Sequence, residues 1–307
     1  MTQPRRVLPG QSYLITRRTL RRHFLLRPDP QLNQLFLYLV AFFAEKLHMQ
    51  VSALQVLSDH YHMVVTDPLG HLPHFLQQLH RTLALAVKEL RDWDGPVWEP
   101  CSVSAVALLT AEAEAQEMVY TWLNVVRAGL VAEPTDWPGV TTCLDDVGVN
   151  TIAAERPEQY LDPNSGLWPE KAKLKLTMPP KLAALGGKRA RAMLRRELER
   201  RRAETAGERK TGGPKQVLGG ERCLQVSPYE RATSWEPRRS ESPVIAVGRG
   251  LKEQLAKAKK ELGEFYRRYR EALANWCQGK RSVVFPAGTW WLLEHHGARI
   301  REYVPTG

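Results

Sequence analysis

Two short patterns in this sequence could do chemistry. The first is His60-Tyr61-His62, inside residues 54–67, where Tyr61, Val64, Val65 and Thr66 are types that suit a β-strand. Side chains alternate across a strand, so His60 and His62 share one face and Tyr61 points to the other. Two imidazoles displayed together from a rigid strand make a pair of metal ligands, although two half-buried histidines bonded to backbone or water would leave the same pattern. The second pattern is Tyr120, Asn124 and Arg127, spaced i, i+4 and i+7 and therefore on one face of a helix. A tyrosine, a carboxamide and an arginine do not make a core-facing stripe, and Met118, Val119, Trp122, Leu123 and Val126 can do the packing instead. The alternative is an exposed polar face carrying a tyrosine of no special role.

The elements that must position these residues follow from periodicity. Residues 12–17, β-branched and aromatic after Pro9-Gly10, predict a first strand. Leu32, Leu35, Phe36, Leu39, Val40, Phe43 and Leu47 recur at helical spacing over 31–48 and predict a core-facing helix. Residues 51–57 alternate as a strand and pass through Ser58-Asp59 into the His60 strand, which predicts an antiparallel hairpin with a tight turn. Leu72, Phe75, Leu76, Leu79, Leu83, Val87 and Leu90 mark a second helix that should end near Asp94-Gly95-Pro96, with His71, His74 and His80 on its polar face. A further strand falls within 97–109, and a helix over 111–130 is stopped by Gly129. The order βαββαβ predicts an α+β fold, a ferredoxin-like antiparallel sheet with helices on one face.

With these stretches in place a resemblance becomes visible. Ser58-Asp59-His60-Tyr61-His62-Met63-Val64-Val65 resembles the "PNHYHLLV" segment of the single-tyrosine HUH transposases, in particular the REP-associated tyrosine transposases. Tyr120-Thr121-Trp122-Leu123-Asn124-Val125-Val126-Arg127-Ala128-Gly129-Leu130-Val131 is similar to that family's "YIxxNPVRAGLV" helix. Arg22-His23-Phe24-Leu25-Leu26-Arg27 resembles "RRxFLLR", and Gly95-Pro96-Val97-Trp98-Glu99 resembles "GxVWQ"; the matches keep the family's order and cover about residues 9–139. The resemblance implies an HUH endonuclease core. It makes His60 and His62 two ligands of Mg²⁺ or Mn²⁺, Asn124 the third ligand, and Tyr120 the nucleophile. It also implies single-stranded DNA carrying hairpins, such as repetitive palindromic elements, as partner, and a 5′-phosphotyrosine intermediate. Two positions depart from the motif: Ser58-Asp59 stands for Pro-Asn, and Val125 for the proline after the asparagine.

Composition fits a nucleic-acid partner. The 307 residues carry a formal net charge of +11 with 43% hydrophobic residues, the balance of a basic globular protein. No apolar run approaches the roughly 20 residues needed to span a bilayer, so no membrane association is expected. The start, Met1-Thr2-Gln3-Pro4-Arg5-Arg6, lacks the apolar segment of a signal peptide, and Cys101, Cys143, Cys223 and Cys277 form no Cys-x-x-Cys pair, so a cytoplasmic protein is expected. Arg17, Arg18, Arg21, Arg22 and Arg127 are candidates for phosphate contact.

Beyond a first domain at 1–150, residues 151–180 predict a linker and 181–307 a mainly helical, basic accessory DNA-binding region. Within 181–209, Lys188, Arg189, Arg195 and Arg196 stand among basic residues that outnumber acids, which suits a clamp on a DNA backbone as well as a solvated helix. Residues 211–247 predict irregular chain, 251–276 a long helix, and Trp290-Trp291 docking residues or base-stacking surfaces. Three functions compete: a metal-dependent DNA strand transferase, monomeric or homodimeric; a domesticated nucleic-acid-binding protein with the fold but no nicking; and an unrelated metal hydrolase.

Overall fold

The computed structural model describes residues 4–101, 103–211, 217–233 and 243–303. The chain runs β1 (Gln11–Arg18), α1 (Pro30–Lys46), β2 (Gln50–Val56), β3 (His60–Asp67), α2 (Leu72–Arg91), β4 (Ser104–Leu108) and α3 (Ala111–Arg127). These strands form one sheet in the order β2-β3-β1-β4, all antiparallel. Every residue of β3 is buried, which places the His60 strand near the middle of the fold. Leu57 N–H donates to the His60 carbonyl at 2.8 Å, closing the tight turn at Ser58-Asp59.

Local chemistry sets the helix ends. Asp29 accepts from Leu32 N–H at 3.0 Å and caps α1, with Pro30 in its first turn. The Thr110 hydroxyl accepts from Ala113 N–H at 3.1 Å and caps α3. Gly129, at φ +71°, takes the left-handed conformation that ends it. Helix α2 stops at Arg91, short of Asp94-Gly95, because Asp92 is left-handed at φ +46°.

The layers differ from the expectation in one respect. Helices α1 and α2 pack on the face that carries Tyr13, Ile15, Tyr61, Met63 and Val65. Helix α3 lies on the other face, where Met118, Val119 and Trp122 meet Leu14, Val64, Val106 and Leu108. Helices on one face therefore describes α1 and α2 only. The alternation of β3 sends Val64, and with it His60 and His62, toward α3.

The second half is built into the first. Residues 151–180 are not a plain linker: β5 (Thr151–Glu155) and β6 (Lys171–Lys175) pair antiparallel, and Ala154, Leu161, Ala172, Leu174 and Leu176 join the core beneath α1. The Tyr38 hydroxyl donates to the Pro169 carbonyl at 2.6 Å across that contact. After the short α4 (Pro180–Ala183), α5 (Gly187–Thr211) lays Ala190 and Leu194 against the α3 core. Of residues 211–247, expected to be irregular, 212–216 and 234–242 lie outside the described residues; α6 (Gly220–Gln225) and β7 (Ile245–Ala246) bracket the rest. Strand β7 pairs parallel with β4 and extends the first sheet. Helix α7 (Lys252–Cys277), β8 (Val284–Phe285), α8 (Trp291–His296) and β9 (Arg299–Ile300) enclose a small separate core around Phe285. Trp290 docks this unit on the first core and meets His74 edge-on at 4.9 Å, while Trp291 stays 58% exposed against His295. Among the described residues no helix is long and apolar enough to cross a membrane.

Candidate functional site

Strand alternation and the placement of α3 bring four side chains together. The rings of His60 and His62 lie 4.9 Å apart between centroids, and His62 meets the Tyr120 ring at 5.0 Å. Asn124 stands one helical turn beyond Tyr120, close enough to act on its phenol, and is buried. Two of the four come from β3 and two from α3. Tyr61 points away from it, its hydroxyl 2.6 Å from His80 Nε2 on the α2 side.

Each histidine has one ring nitrogen engaged. His62 Nδ1 is 2.8 Å from Thr16 Oγ1, directly across the β1–β3 register, and its Nε2 is buried with no hydrogen-bond partner. His60 Nδ1 is 2.6 Å from Asp59 Oδ1, and Asp59 Oδ2 accepts from Arg22 Nε at 2.8 Å. A buried imidazole nitrogen without a partner is costly unless something coordinates or bonds it. Two imidazoles and the Asn124 carboxamide form a nitrogen and oxygen donor set that fits a small divalent cation. Among the described residues no group of three His, Cys, Asp or Glu could hold a metal, so any ion at this site would depend on Asn124 as a donor.

Electrostatics favour the forms such a site needs. Burial, then the neighbouring His60 and Arg18, push the His62 pKa well below its usual value, so the ring is neutral and keeps a lone pair. Burial acts to raise the Asp59 pKa, but His60 and Arg22 outweigh it and hold the carboxyl well below the usual carboxylate range. Burial raises the Tyr120 pKa, while Arg127, Asn124 and Arg18 pull it down and Glu117 adds to the rise. Tyr120 is therefore a protonated phenol at neutral pH, facing two cations that would stabilise its anion.

The predicted arginines divide. Arg18 lies opposite His60 in the β1–β3 register, on the α3 face, and exposed Arg127 acts on Tyr120 from α3. Arg21 is exposed at φ +49°, its N–H donating to Glu99 Oε2 at 2.8 Å. Arg22 is directed inward to Asp59. Arg17 is not available for phosphate contact. It points to the opposite face, where Nη1 donates to His80 Nδ1 at 2.9 Å and the guanidinium lies 5.1 Å from the Trp98 ring. His80, expected on a polar helix face, is buried there instead. On α5, Lys188, Arg189, Arg195 and Arg196 are exposed with no ion-pair partner among the described residues. Their neighbours are committed elsewhere: Arg200 and Arg201 to Glu197, Arg202 to Glu133 at 2.8 Å, and Arg191 to the carbonyls of Leu144 and Val147.

Several residues that hold the site were missed. Buried Gln55 clamps α3 to β2: its Nε2 donates to the Trp122 carbonyl at 3.0 Å and its Oε1 accepts from Val125 N–H at 3.1 Å. Fully buried Glu114 accepts from Ser12 Oγ and from Leu182 N–H, both at 2.8 Å, tying the start of α3 to β1 and to α4. Glutamine within an apolar strand was the available signal at position 55. Nothing local distinguished Glu114 from the other acids at the head of α3.

Two solved structures are similar to this chain. One is a REP-associated tyrosine transposase bound to a REP hairpin, at 19% identity over 48% of this chain and 85% of that one, with a TM-score of 0.40. The other is a candidate transposase from Deinococcus radiodurans, at 21% identity over 36% of this chain and 86% of that one, with a TM-score of 0.28. No protein-family profile and no curated protein matches the chain.

Proposed function

We propose that the chain is a metal-dependent enzyme that nicks single-stranded DNA at hairpin-flanked sites and transfers the strand through Tyr120. The observation that carries this reading is the meeting of His62 and Tyr120 at 5.0 Å, with a partnerless imidazole nitrogen beside a phenol. His60, His62 and Asn124 would hold Mg²⁺ or Mn²⁺, which when bound would draw charge from the non-bridging oxygens of the scissile phosphate.

The chain's own groups account for the rest. Arg127 and Arg18 favour the Tyr120 phenolate, whose oxygen attacks the scissile phosphorus. The bond to the 3′ oxygen breaks, that oxygen takes a proton, and the 5′ end stays esterified to Tyr120. Attack by a 3′-OH on the tyrosyl ester reverses the exchange and returns the phenol. One phosphoester is made for each one broken, so no nucleotide cofactor is consumed. Exposed Lys188, Arg189, Arg195 and Arg196, in a chain of net charge +11, suit the DNA backbone beyond the cut.

The test is incubation of the protein with single-stranded hairpin DNA and Mn²⁺, followed by a denaturing gel. A covalent adduct that disappears in Tyr120→Phe, with hairpin affinity retained, is the expected result. Tight binding with no adduct would leave a DNA-binding protein without nicking activity, and hydrolysis surviving in Tyr120→Phe would point to an unrelated metal hydrolase.

A further inference from the structure

The turn before the histidine strand carries a pair that the proposed chemistry does not use. Asp59 is 5% exposed and divides its two oxygens, Oδ1 to His60 Nδ1 at 2.6 Å and Oδ2 to Arg22 Nε at 2.8 Å. Its carbonyl also accepts from Thr19 N–H at 2.9 Å, so the turn is tied to the end of β1. Arg22 reaches Asp59 from an uncommon backbone. Arg21 and Arg22 are consecutive non-glycine residues in the left-handed region, at φ +49° and +60°.

We propose that Arg22 and Asp59 are positioning residues for His60, fixing its ring so that the Nδ1 proton is spent on the carboxylate and Nε2 keeps its lone pair for the site. An ionised carboxylate offers only acceptor lone pairs, so the hydrogen bond at Nδ1 requires Nδ1–H. A neutral imidazole that carries its proton on Nδ1 has Nε2 bare. Carboxylate pairing of this kind fixes the tautomer and ring orientation of a coordinating histidine. Position 59 departs from the resembled motif, which has asparagine. A carboxamide could accept from Nδ1 but would carry no charge to hold Arg22, so Asp59 and Arg22 belong together. Thr16 serves His62 through its own Nδ1, without a charge.

The role of the pair toward a metal rests on the reading of the site given above, whereas the His60 tautomer does not. The experiment is histidine ¹⁵N NMR on the metal-free full chain at neutral pH, together with Mn²⁺ binding followed by electron paramagnetic resonance. In the wild type, His60 should show a protonated Nδ1 and a bare Nε2. In Asp59→Ala that preference should be lost while the His62 signals stay in place, and the Mn²⁺ dissociation constant should rise about 10- to 100-fold. Asp59→Asn and Arg22→Gln should give smaller rises in the same direction, and they decide the matter if Asp59→Ala does not fold. A wild-type His60 protonated on Nε2, or variants whose tautomer and Mn²⁺ affinity stay within about twofold of wild type, would overturn the proposal. If the wild type binds no Mn²⁺ while Asp59→Ala still changes the His60 tautomer, the metal reading fails and the positioning stands.

Discussion

The clamp between Gln55 and α3 gives the sharpest test of how the Tyr120 helix is held. Gln55→Leu keeps the side-chain size but takes the Gln55 acceptor away from the Val125 N–H and withdraws the donors from the Trp122 carbonyl and the Thr141 hydroxyl. Each lost hydrogen bond costs about 0.5–1.5 kcal/mol, so losing the three should destabilise the fold by about 1.5–4.5 kcal/mol in urea titration. Val125→Pro, which restores the residue of the resembled motif, removes the same N–H from the other side and strands Gln55 Oε1. Combined, the two changes leave neither partner orphaned at this contact. The double variant should therefore be more stable than the sum of the singles by about 1–3 kcal/mol. Additivity within about 0.5 kcal/mol would show that Gln55 and Val125 are not coupled and would refute the clamp. If the clamp sets the Tyr120 position, the adduct-forming rate should also fall in Gln55→Leu and recover in part in the double variant.

Other outcomes follow from the same geometry. Replacing Lys188, Arg189, Arg195 and Arg196 together by alanine should flatten the salt dependence of hairpin binding by about 3 in log–log slope, with adduct chemistry intact at low salt. Arg17→Ala should lower stability by about 1–3 kcal/mol, because it strips a donor from buried His80, and leave that salt slope unchanged. His62 and His80 are neutral in the fold, their pKa values pushed well below normal first by burial. The unfolded chain takes up those protons below about pH 6.5, so stability is full above that value and lost as pH falls, by up to about 1.4 kcal/mol per pH unit for each ring. A urea series across that range should show the slope, reduced by one proton in His80→Gln. Mn²⁺ should raise the melting temperature of the wild type and not that of His62→Ala.

How far the sequence could be read depended on the range of the interactions involved. The His60–His62 face, the hairpin at Ser58-Asp59 and the Tyr120–Asn124 stripe follow from local periods, and local periods are legible. The side of the sheet that α3 covers is not local. It depends on which strand residues its apolar positions meet, and Leu14 and Val64 disclose that only once the sheet is assembled. The same limit hid the direction of Arg17 and the burial of His80, whose partners lie far away in sequence. Residues 151–180 look like a linker because proline and charge dominate them, yet a few alternating apolar residues in β5 and β6 are enough to close over α1.

The two departures from the resembled motif have a common form. Aspartate at 59 would be a buried charge without a partner, but Arg22 supplies the countercharge from a strained backbone. Valine at 125 carries an N–H that proline lacks, and Gln55 on β2 accepts from it. Each change is therefore matched by a polar partner on the element that packs against it, and each pair borders the cluster rather than entering it. Departures of this kind preserve the placement of His60, His62, Tyr120 and Asn124. The matched pairs account for how the cluster keeps its place, and adduct formation that depends on Tyr120 is the measurement that separates a site that cuts from a fold that only binds.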